Sequence, residues 1–447
     1  MLFQREILAD LEAWKTSRNR KPLVLRGARQ VGKTTAVHQF AEKFDHYLYL
    51  NLEKPEERRI CEQAESFEEF LEAIFFTKKI PKNKGQTLIF FDEIQNSPQT
   101  VSKLRFFKEE AAHLYVIAAG SLLETVIDVH VRIPVGRVEY RYLYPLTFRE
   151  FLKAIGENEL AEQMQSIKIP TYAHEALLKQ FRRYTLIGGM PEAVRVYAET
   201  GDLMELNPVY EALLTSYLDD VEKYAKSDAS RKVLRHCIRS SFFEAGKRIK
   251  FQGFGQSNYK SREVSEALHT LEKAMLIRLI YPTTNTKLPL IPNQKKSPKL
   301  HVLDTGLINY FVGLQEEIFR TSEIDSVYEG RIAEHIVGQE LIARRRSQVQ
   351  PLVFWTREKK QSNAEVDYLV PFKNLVLPVE VKSGKAGKLR SLHLFMDNVD
   401  HNFALRIHSG PFSVDDVRTA SGKTFRLINI PHYLVGSWDK IIENVLN

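Results

Sequence analysis

One run, Gly27-Ala28-Arg29-Gln30-Val31-Gly32-Lys33-Thr34-Thr35, constrains the fold of this 447-residue chain more than any other. Its spacing is GxxxxGK[ST], the pattern of a phosphate-binding loop. The residues before it, Pro22-Leu23-Val24-Leu25-Arg26, suit a short strand buried in a parallel sheet. From Thr34 to Phe44, Ala36, Val37, Phe40 and Ala41 share one helical face. Strand, glycine turn and helix together form an anion cradle. The turn aims successive backbone N–H groups inward, and the helix adds the positive end of its dipole. Gly27 through Thr35 would line the phosphates, with Lys33 reaching the β- and γ-phosphates and the Thr34 hydroxyl turned to Mg2+.

A second run, Thr87-Leu88-Ile89-Phe90-Phe91-Asp92-Glu93, has four large apolar residues in a row and two acids at its end. The apolar part fits a strand buried on both faces. Its C-terminal end is where open α/β sheets hold ligands. There Asp92 would order Mg2+, and Glu93 would polarise the attacking water. The two runs imply a nucleoside-triphosphate site.

Composition sets the bounds. The length allows two to four domains. No apolar run reaches membrane-spanning length, so no membrane partner is expected. Met1 to Trp14 lacks a signal-peptide pattern and reads as an amphipathic helix beside the sheet. With only Cys61 and Cys237, no disulfide framework or clustered metal set arises, which suits a reducing cytoplasm. The net charge of +8 is compatible with a polyanionic partner and does not require one.

Three further strands are expected at Tyr47–Asn51, Leu114–Ser121 and Tyr140–Tyr144, with helices over Glu56–Phe76 and Pro98–Ala112 between them. Five strands interleaved with helices give a parallel α/β sandwich. Ser121, at a strand end, could cap a helix. Arg137, just before the last strand, could serve as an arginine finger in cis or in trans, or as a surface ion pair.

Gly136-Arg137 before a strand, then Tyr144-Pro145-Leu146-Thr147-Phe148-Arg149-Glu150-Phe151 and Gly188-Gly189-Met190-Pro191-Glu192, resemble a prokaryotic AAA+-like ATPase family. Its members carry an uncharacterised C-terminal domain of restriction-endonuclease type, and the resemblance spans nearly the whole chain. It implies ATP as the nucleotide. It also implies that the strand ending at Ser121 lies between the two motif strands and senses the γ-phosphate. In similar signal-transducing and archaeal ATPases a glycine-proline motif of the helical lid touches nucleotide, which makes Gly189 and Pro191 candidates. A plain turn between lid helices explains them equally.

Residues 146–228 read as that lid, with helices at Phe148–Ile155, His174–Thr185 and Val209–Tyr224. Helices at Ser230–Lys247 and Lys260–Ala274, followed by a strand at Leu276–Tyr281, give a winged-helix pattern over residues 229–285. Lys260, Ser261 and Arg262 would open its second helix, where DNA readers place contacts, although acids are interspersed. A polar loop, Thr283 to Ser297, leads to the last segment. Lys299–Leu307 is a strand running into a helix that Asp304 and Thr305 could cap.

The last segment, residues 286–447, holds a second set of acids. Glu334 falls on a helix, Asp367 on the strand Ala364–Val370, and Glu380 and Lys382 on Leu375–Lys382. Residues two apart on a strand share a face, so Glu380 and Lys382 point together and a hairpin brings Asp367 near. Asp, then Glu-x-Lys, resembles the core of PD-(D/E)XK nucleases. In them two carboxylates hold Mg2+ and lysine serves the nucleophile. Glu334 would complete the metal shell, as in similar Holliday-junction-resolvase-like enzymes. Glu365 shares the face of Asp367 and complicates the assignment. A cross-strand salt-bridge patch, or a nuclease-like fold that only binds, stays open. Arg344, Arg345, Arg346, Lys359, Lys360, Lys385, Lys388 and Arg390 would suit a phosphate backbone or a solvated surface.

The leading expectation is an α/β P-loop ATPase core over residues 1–145, then lid, winged helix and nuclease-like domain. Its ligands are ATP and Mg2+, its partner DNA, and an arginine finger in trans would bring in a second copy. The alternative is a nucleotide-switched signalling or scaffold ATPase with an inactive C-terminal binding module.

Overall fold

Leu23, Val24 and Leu25 are fully buried because β1 (Leu23–Arg26) runs inside a five-stranded sheet. The computed structural model describes residues 3–82, 85–120, 136–223, 225, 227–313, 326–345, 350–357, 364–384 and 387–446, with 326–329 in backbone alone. These residues divide into two compact units. The first is Met1–Tyr144 with Lys273–Leu276, and the second is Pro145–Glu272 with Ile277–Asn447.

In the first unit, β1 is joined by β2 (His46–Asn51), β3 (Thr87–Asp92), β4 (Tyr115–Gly120) and β5 (Glu139–Tyr142) in the order β2-β3-β4-β1-β5. All four pairings are parallel. β4 therefore separates the glycine-loop strand from the acid-tipped strand, as the family resemblance implies. All six residues of β3 are buried. Each fully buried Leu, Ile or Phe in such a strand contributes roughly 1.5–3 kcal/mol. The N-terminal helix Ile7–Thr16 buries Ile7, Leu11 and Trp14, and Trp14 meets Phe40 of the helix after the loop with ring centroids 6.3 Å apart.

The single helix expected over Glu56–Phe76 is two, Pro55–Glu62 and Phe67–Lys78. Ser66 causes the break. Its backbone is extended, and its hydroxyl accepts the Glu69 amide, so a second helix starts there. The next helix runs Pro98–Glu109, and Ser97 caps it by accepting the Thr100 amide. Cys61 and Cys237 are both buried and free.

The second unit opens with the expected helical segment: Phe148–Ala154, Asn158–Gln163, Thr171–Ile187, Pro191–Thr200 and Asn207–Glu222. Thr147 and Glu150 start it with a reciprocal capping box. Helices Asp228–Glu244 and Ser261–Lys273 follow. Next comes β6 (Ile277–Ile280), paired antiparallel with β8 (Lys299–Val302). Between those two strands lies β7 (Pro282–Thr283). It edges a mixed seven-stranded sheet with β9 (Val353–Thr356), β10 (Glu365–Phe372), β11 (Leu375–Val381), β12 (Phe403–His408), β13 (Ser413–Arg418) and β14 (Thr424–Pro431). The order is β13-β14-β12-β11-β10-β9-β7. That sheet thus takes its edge strand from before residue 286, while β8, expected in the last segment, pairs with β6. Helix Ser326–Ala343 supplies Ile336, Val337, Leu341 and Ile342 to the core. Among the described residues no helix is long and apolar enough to cross a membrane.

Candidate nucleotide site and C-terminal carboxylate cluster

The glycine loop follows β1 directly. A Cβ on Gly27 would lie 2.5 Å from the Leu143 carbonyl oxygen, so only glycine fits the approach of loop to β5 exit. Gln30 (φ +64°) and Gly32 (φ +91°) make the left-handed turns that curl the loop. The helix Lys33–Ala41 begins immediately after Gly32. Ala28 and Val31 are buried, Arg29 is half-buried, and Thr35 is exposed. Lys33 is only 6% exposed, and its ammonium donates to the carbonyls of Gly27 at 2.9 Å and Ala28 at 2.8 Å. Buried Arg5 clamps the loop from below, donating to Val31 O at 2.8 Å and Tyr144 O at 2.7 Å. Nothing in the sequence near Arg5 signalled that role.

Thr34 and Asp92 meet across the sheet: Thr34 Oγ1 donates to Asp92 Oδ2 at 2.8 Å. Tyr49 adds a 3.3 Å hydrogen bond to the same oxygen. A hydroxyl and a carboxylate converging beside a phosphate loop are oxygen donors of the kind Mg2+ takes. Glu93 has left-handed backbone (φ +50°), which turns its side chain away from the path of β3. Gln95 holds it, donating Nε2 to Glu93 Oε2 at 2.5 Å. Burial pushes the Glu93 carboxyl above its ordinary range, against the pull of Gln95, Lys33 and Arg29. Gln95 was not among the sequence candidates. Its room comes from Gly120 at the tip of β4, where a Cβ would sit 2.3 Å from Gln95 Oε1.

Ser121 lies outside the described residues. Arg137 is exposed and pairs with Glu109 at 2.8 Å. The β1–β5 register sets Leu23 against Glu139, so Arg137 lies at the edge of the sheet opposite the glycine loop. At the rise of a strand that is on the order of 20 Å from Gly27.

In the second unit, Gly188 and Gly189 are spent on packing. Leu146 N donates to Gly189 O at 2.7 Å, and Gly189 N donates to Asp304 Oδ2 at 2.6 Å. Pro191 opens the helix Pro191–Thr200 at its first turn. Asp304 also caps the helix Thr305–Phe311, as expected, through the amides of Gly306 and Leu307. Burial raises its carboxyl to about 6 despite those bonds. At the start of helix Ser261–Lys273, the Lys260 backbone amide donates to Glu263, and the Arg262 side chain pairs with Glu266 at 2.9 Å.

The hairpin β10–β11 brings the C-terminal set together. With Tyr368 against Val379, Asp367 and Glu380 lie abreast. Val381 N donates to Asp367 Oδ2 at 2.8 Å, and Lys382 Nζ to Glu380 Oε1 at 2.7 Å. Glu334 from helix Ser326–Ala343 and Glu365 from the start of β10 join them through a residue the sequence reading overlooked. Lys299, on β8 and 5% exposed, places its ammonium 2.6 Å from Glu334, 2.8 Å from Glu365 and 3.7 Å from Asp367. The expected metal shell of Glu334, Asp367 and Glu380 shares its space with that side chain. An ammonium stands among its carboxylates, and no group of three or more His, Cys, Asp or Glu among the described residues is placed to hold a metal. Burial works against the Lys299 charge, but Glu334, Asp367 and Glu365 outweigh it and hold its pKa well above the usual. Burial and the charges of Asp367 and Glu365 raise Glu334, with Lys299 opposing. Burial, then Asp367, raises Glu380. Of the basic residues, Lys388 and Arg390 are exposed, and Arg346, Lys359, Lys360 and Lys385 lie outside the described residues.

The sheet order, the glycine loop after β1 and the acid pair at the end of β3 together define a P-loop NTPase fold. Residues 19–152 match the family described as an AAA domain. Residues 178–318 match a domain of unknown function (DUF8612), and residues 329–431 another (DUF4143). The match to an AAA domain is thus followed by two regions whose matching families have no described function. No curated protein matches the sequence. Among solved structures, it is similar to the Walker-type ATPase PABY2304 of Pyrococcus abyssi at 15% identity, covering 69% of this chain and 96% of that one with a TM-score of 0.44. The Orc1 protein of Aeropyrum pernix in complex with DNA matches at 13% identity over 72% of this chain and 96% of that one, TM-score 0.29. The RuvB Holliday junction branch migration motor of Thermotoga maritima matches at 14% identity over 66% of this chain and 93% of that one, TM-score 0.27.

Proposed function

We propose that the chain hydrolyses ATP at Gly27–Thr35 and uses the nucleotide state to switch a C-terminal binding module, rather than to cut DNA. The observation that carries the ATPase half is the 2.8 Å contact of Thr34 with Asp92, which unites the two motifs in one site. Backbone amides of the loop and Lys33 would bind the phosphates, with Lys33 exchanging the Gly27 and Ala28 carbonyls for phosphate oxygens. Mg2+, held by Thr34 and through water by Asp92, would supply charge neutralisation at the β- and γ-phosphates. Glu93 would orient water and accept its proton, a role that a raised pKa favours. Ser121 would sense the γ-phosphate, and Arg137 would act on the site of a second copy.

Lys299 favours the binding-module reading over phosphodiester cleavage at Asp367, Glu380 and Lys382. A nuclease of that type would hold a divalent cation on these carboxylates, and the Lys299 ammonium already lies 2.6 Å from Glu334 and 3.7 Å from Asp367. The test is purified protein with Mg2+ or Mn2+ and linear, circular or branched DNA, with and without ATP, followed for phosphate release and DNA products. Phosphate release without DNA products supports the proposal. Cleavage abolished by Asp367→Ala would overturn its second half, and absence of phosphate release its first.

A further inference from the structure

We infer that Lys299 is a resident cation that closes the C-terminal carboxylate cluster to divalent metals, and that a neutral side chain at 299 would turn the cluster into a metal site. Four acids converge there, Glu334, Glu365, Asp367 and Glu380, on a helix and two adjacent strands. Among the described residues, the basic groups in ion pairs with them are Lys299, Lys382 and, at 3.4 Å from Glu365, the exposed Arg248. Lys382 takes one oxygen of Glu380. The other, Oε2, is buried without a protein partner on a side chain only 6% exposed. That oxygen is a desolvated acceptor beside Asp367 that a divalent ion would use once the Lys299 charge is gone.

Lys299 is not on a segment that swings away. Its residue pairs with Ile280 in the β6–β8 ladder and forms a bridge with Arg248 on the other side. Its ammonium also lies 4.8 Å from the centre of the Phe354 ring. Mg2+ binds carboxylate oxygens at about 2.0–2.1 Å in a near-octahedral shell. An ammonium 2.6 Å from Glu334 occupies that space and neutralises the charge that would pay for dehydrating the ion. Lys299→Met keeps the stem and removes the charge. Glu334, Glu365 and Asp367 then share a half-buried site without the Lys299 charge, and a divalent ion becomes the partner that relieves their repulsion.

Binding of Mn2+ alone to the full chain, without nucleotide and in a Lys33→Ala background, tests this independently of the ATPase reading. Free Mn2+ is counted by electron paramagnetic resonance. The chain with Lys299 should show no site that Asp367→Asn removes. Lys299→Met should gain one site per chain, about tenfold or more tighter than any in its parent, and lose it when Asp367→Asn is added. Lys299→Arg, which keeps the charge, should gain none. If Lys299→Met unfolds without metal, Mn2+ should restore its thermal transition. An Asp367-dependent Mn2+ site in the chain with Lys299 would overturn the inference. So would a Lys299→Met chain that neither binds Mn2+ nor is stabilised by it.

Discussion

Asp304 Oδ2 accepts the amide of Gly189 at 2.6 Å and ties together two runs 115 residues apart. The same carboxylate caps its own helix, so one buried side chain serves three amides, those of Gly189, Gly306 and Leu307. Gly188 is fitted to it: its φ is +73°, and a Cβ there would fall 2.0 Å from Asp304 Oδ1. Asp304→Ala leaves three buried N–H groups without that acceptor and should cost about 3–5 kcal/mol. Gly188→Ala should be destabilising as well. Urea unfolding of each variant checks both. Unchanged midpoints would show the contact to be incidental.

Glu93→Gln should lower ATP turnover by about 10²–10⁴-fold while leaving ATP affinity near that of the parent, because it removes a proton acceptor and no phosphate contact. Gln95→Ala should lower turnover by less, since Gln95 acts through Glu93. Steady-state turnover, combined with calorimetric ATP affinity, separates the two effects.

Arg137 faces away from its own loop, so its effect should appear only between copies. Turnover per chain should rise with protein concentration. Arg137→Ala should remove that rise, with a loss of up to about 10³-fold if the residue acts as a finger. Mixing Arg137→Ala with Lys33→Ala chains should restore part of the activity, because each supplies what the other lacks. Concentration-independent turnover, unchanged by Arg137→Ala, would leave Arg137 as the partner of Glu109 alone.

His432 sets a pH dependence. Burial, with lesser contributions from His408 and Arg182, holds its imidazole down at about 4, even though Nε2 meets the Lys382 carbonyl at 2.9 Å. A depressed folded-state pKa means the stabilising contribution is fully present above the unfolded value of 6.5 and is lost as pH falls toward 4. At 1.36 kcal/mol per unit the loss reaches about 3 kcal/mol. His432→Gln should flatten the fall in unfolding free energy between these limits, measured against the parent. Equal slopes would show that His432 does not report through folding.

The nucleotide site was legible because its chemistry is local in sequence. Nine residues make the loop, and an apolar run ends in its acid pair. The position of β4 between the two motif strands came from the family resemblance, and the sheet order agrees with it. The break at Ser66 had a local signal too, a serine three residues before Glu69, but the apolar stripe on either side masked it. Other contributors carried no local pattern. Arg5 reaches the loop across 26 residues, and Gln95 is one amide among many until Gly120 makes space for it. Lys299 looked like one base at the start of a short strand. Only the pairing of β8 with β6, together with the docking of helix Ser326–Ala343, carries its ammonium into the acids. That one long-range placement changes the reading of residues whose order in sequence resembles a nuclease.

The central claim is that the loop from Gly27 to Thr35 grips ATP through Lys33 and, with Asp92 and Glu93, turns it over. Calorimetric titration of ATP with Mg2+ into the parent and into Lys33→Ala, alongside phosphate release from both, tests it most directly. The parent should bind one ATP per chain and release phosphate, and Lys33→Ala should lose turnover and bind at least tenfold more weakly. A parent that takes up no ATP, or a folded Lys33→Ala chain with undiminished turnover, would contradict it.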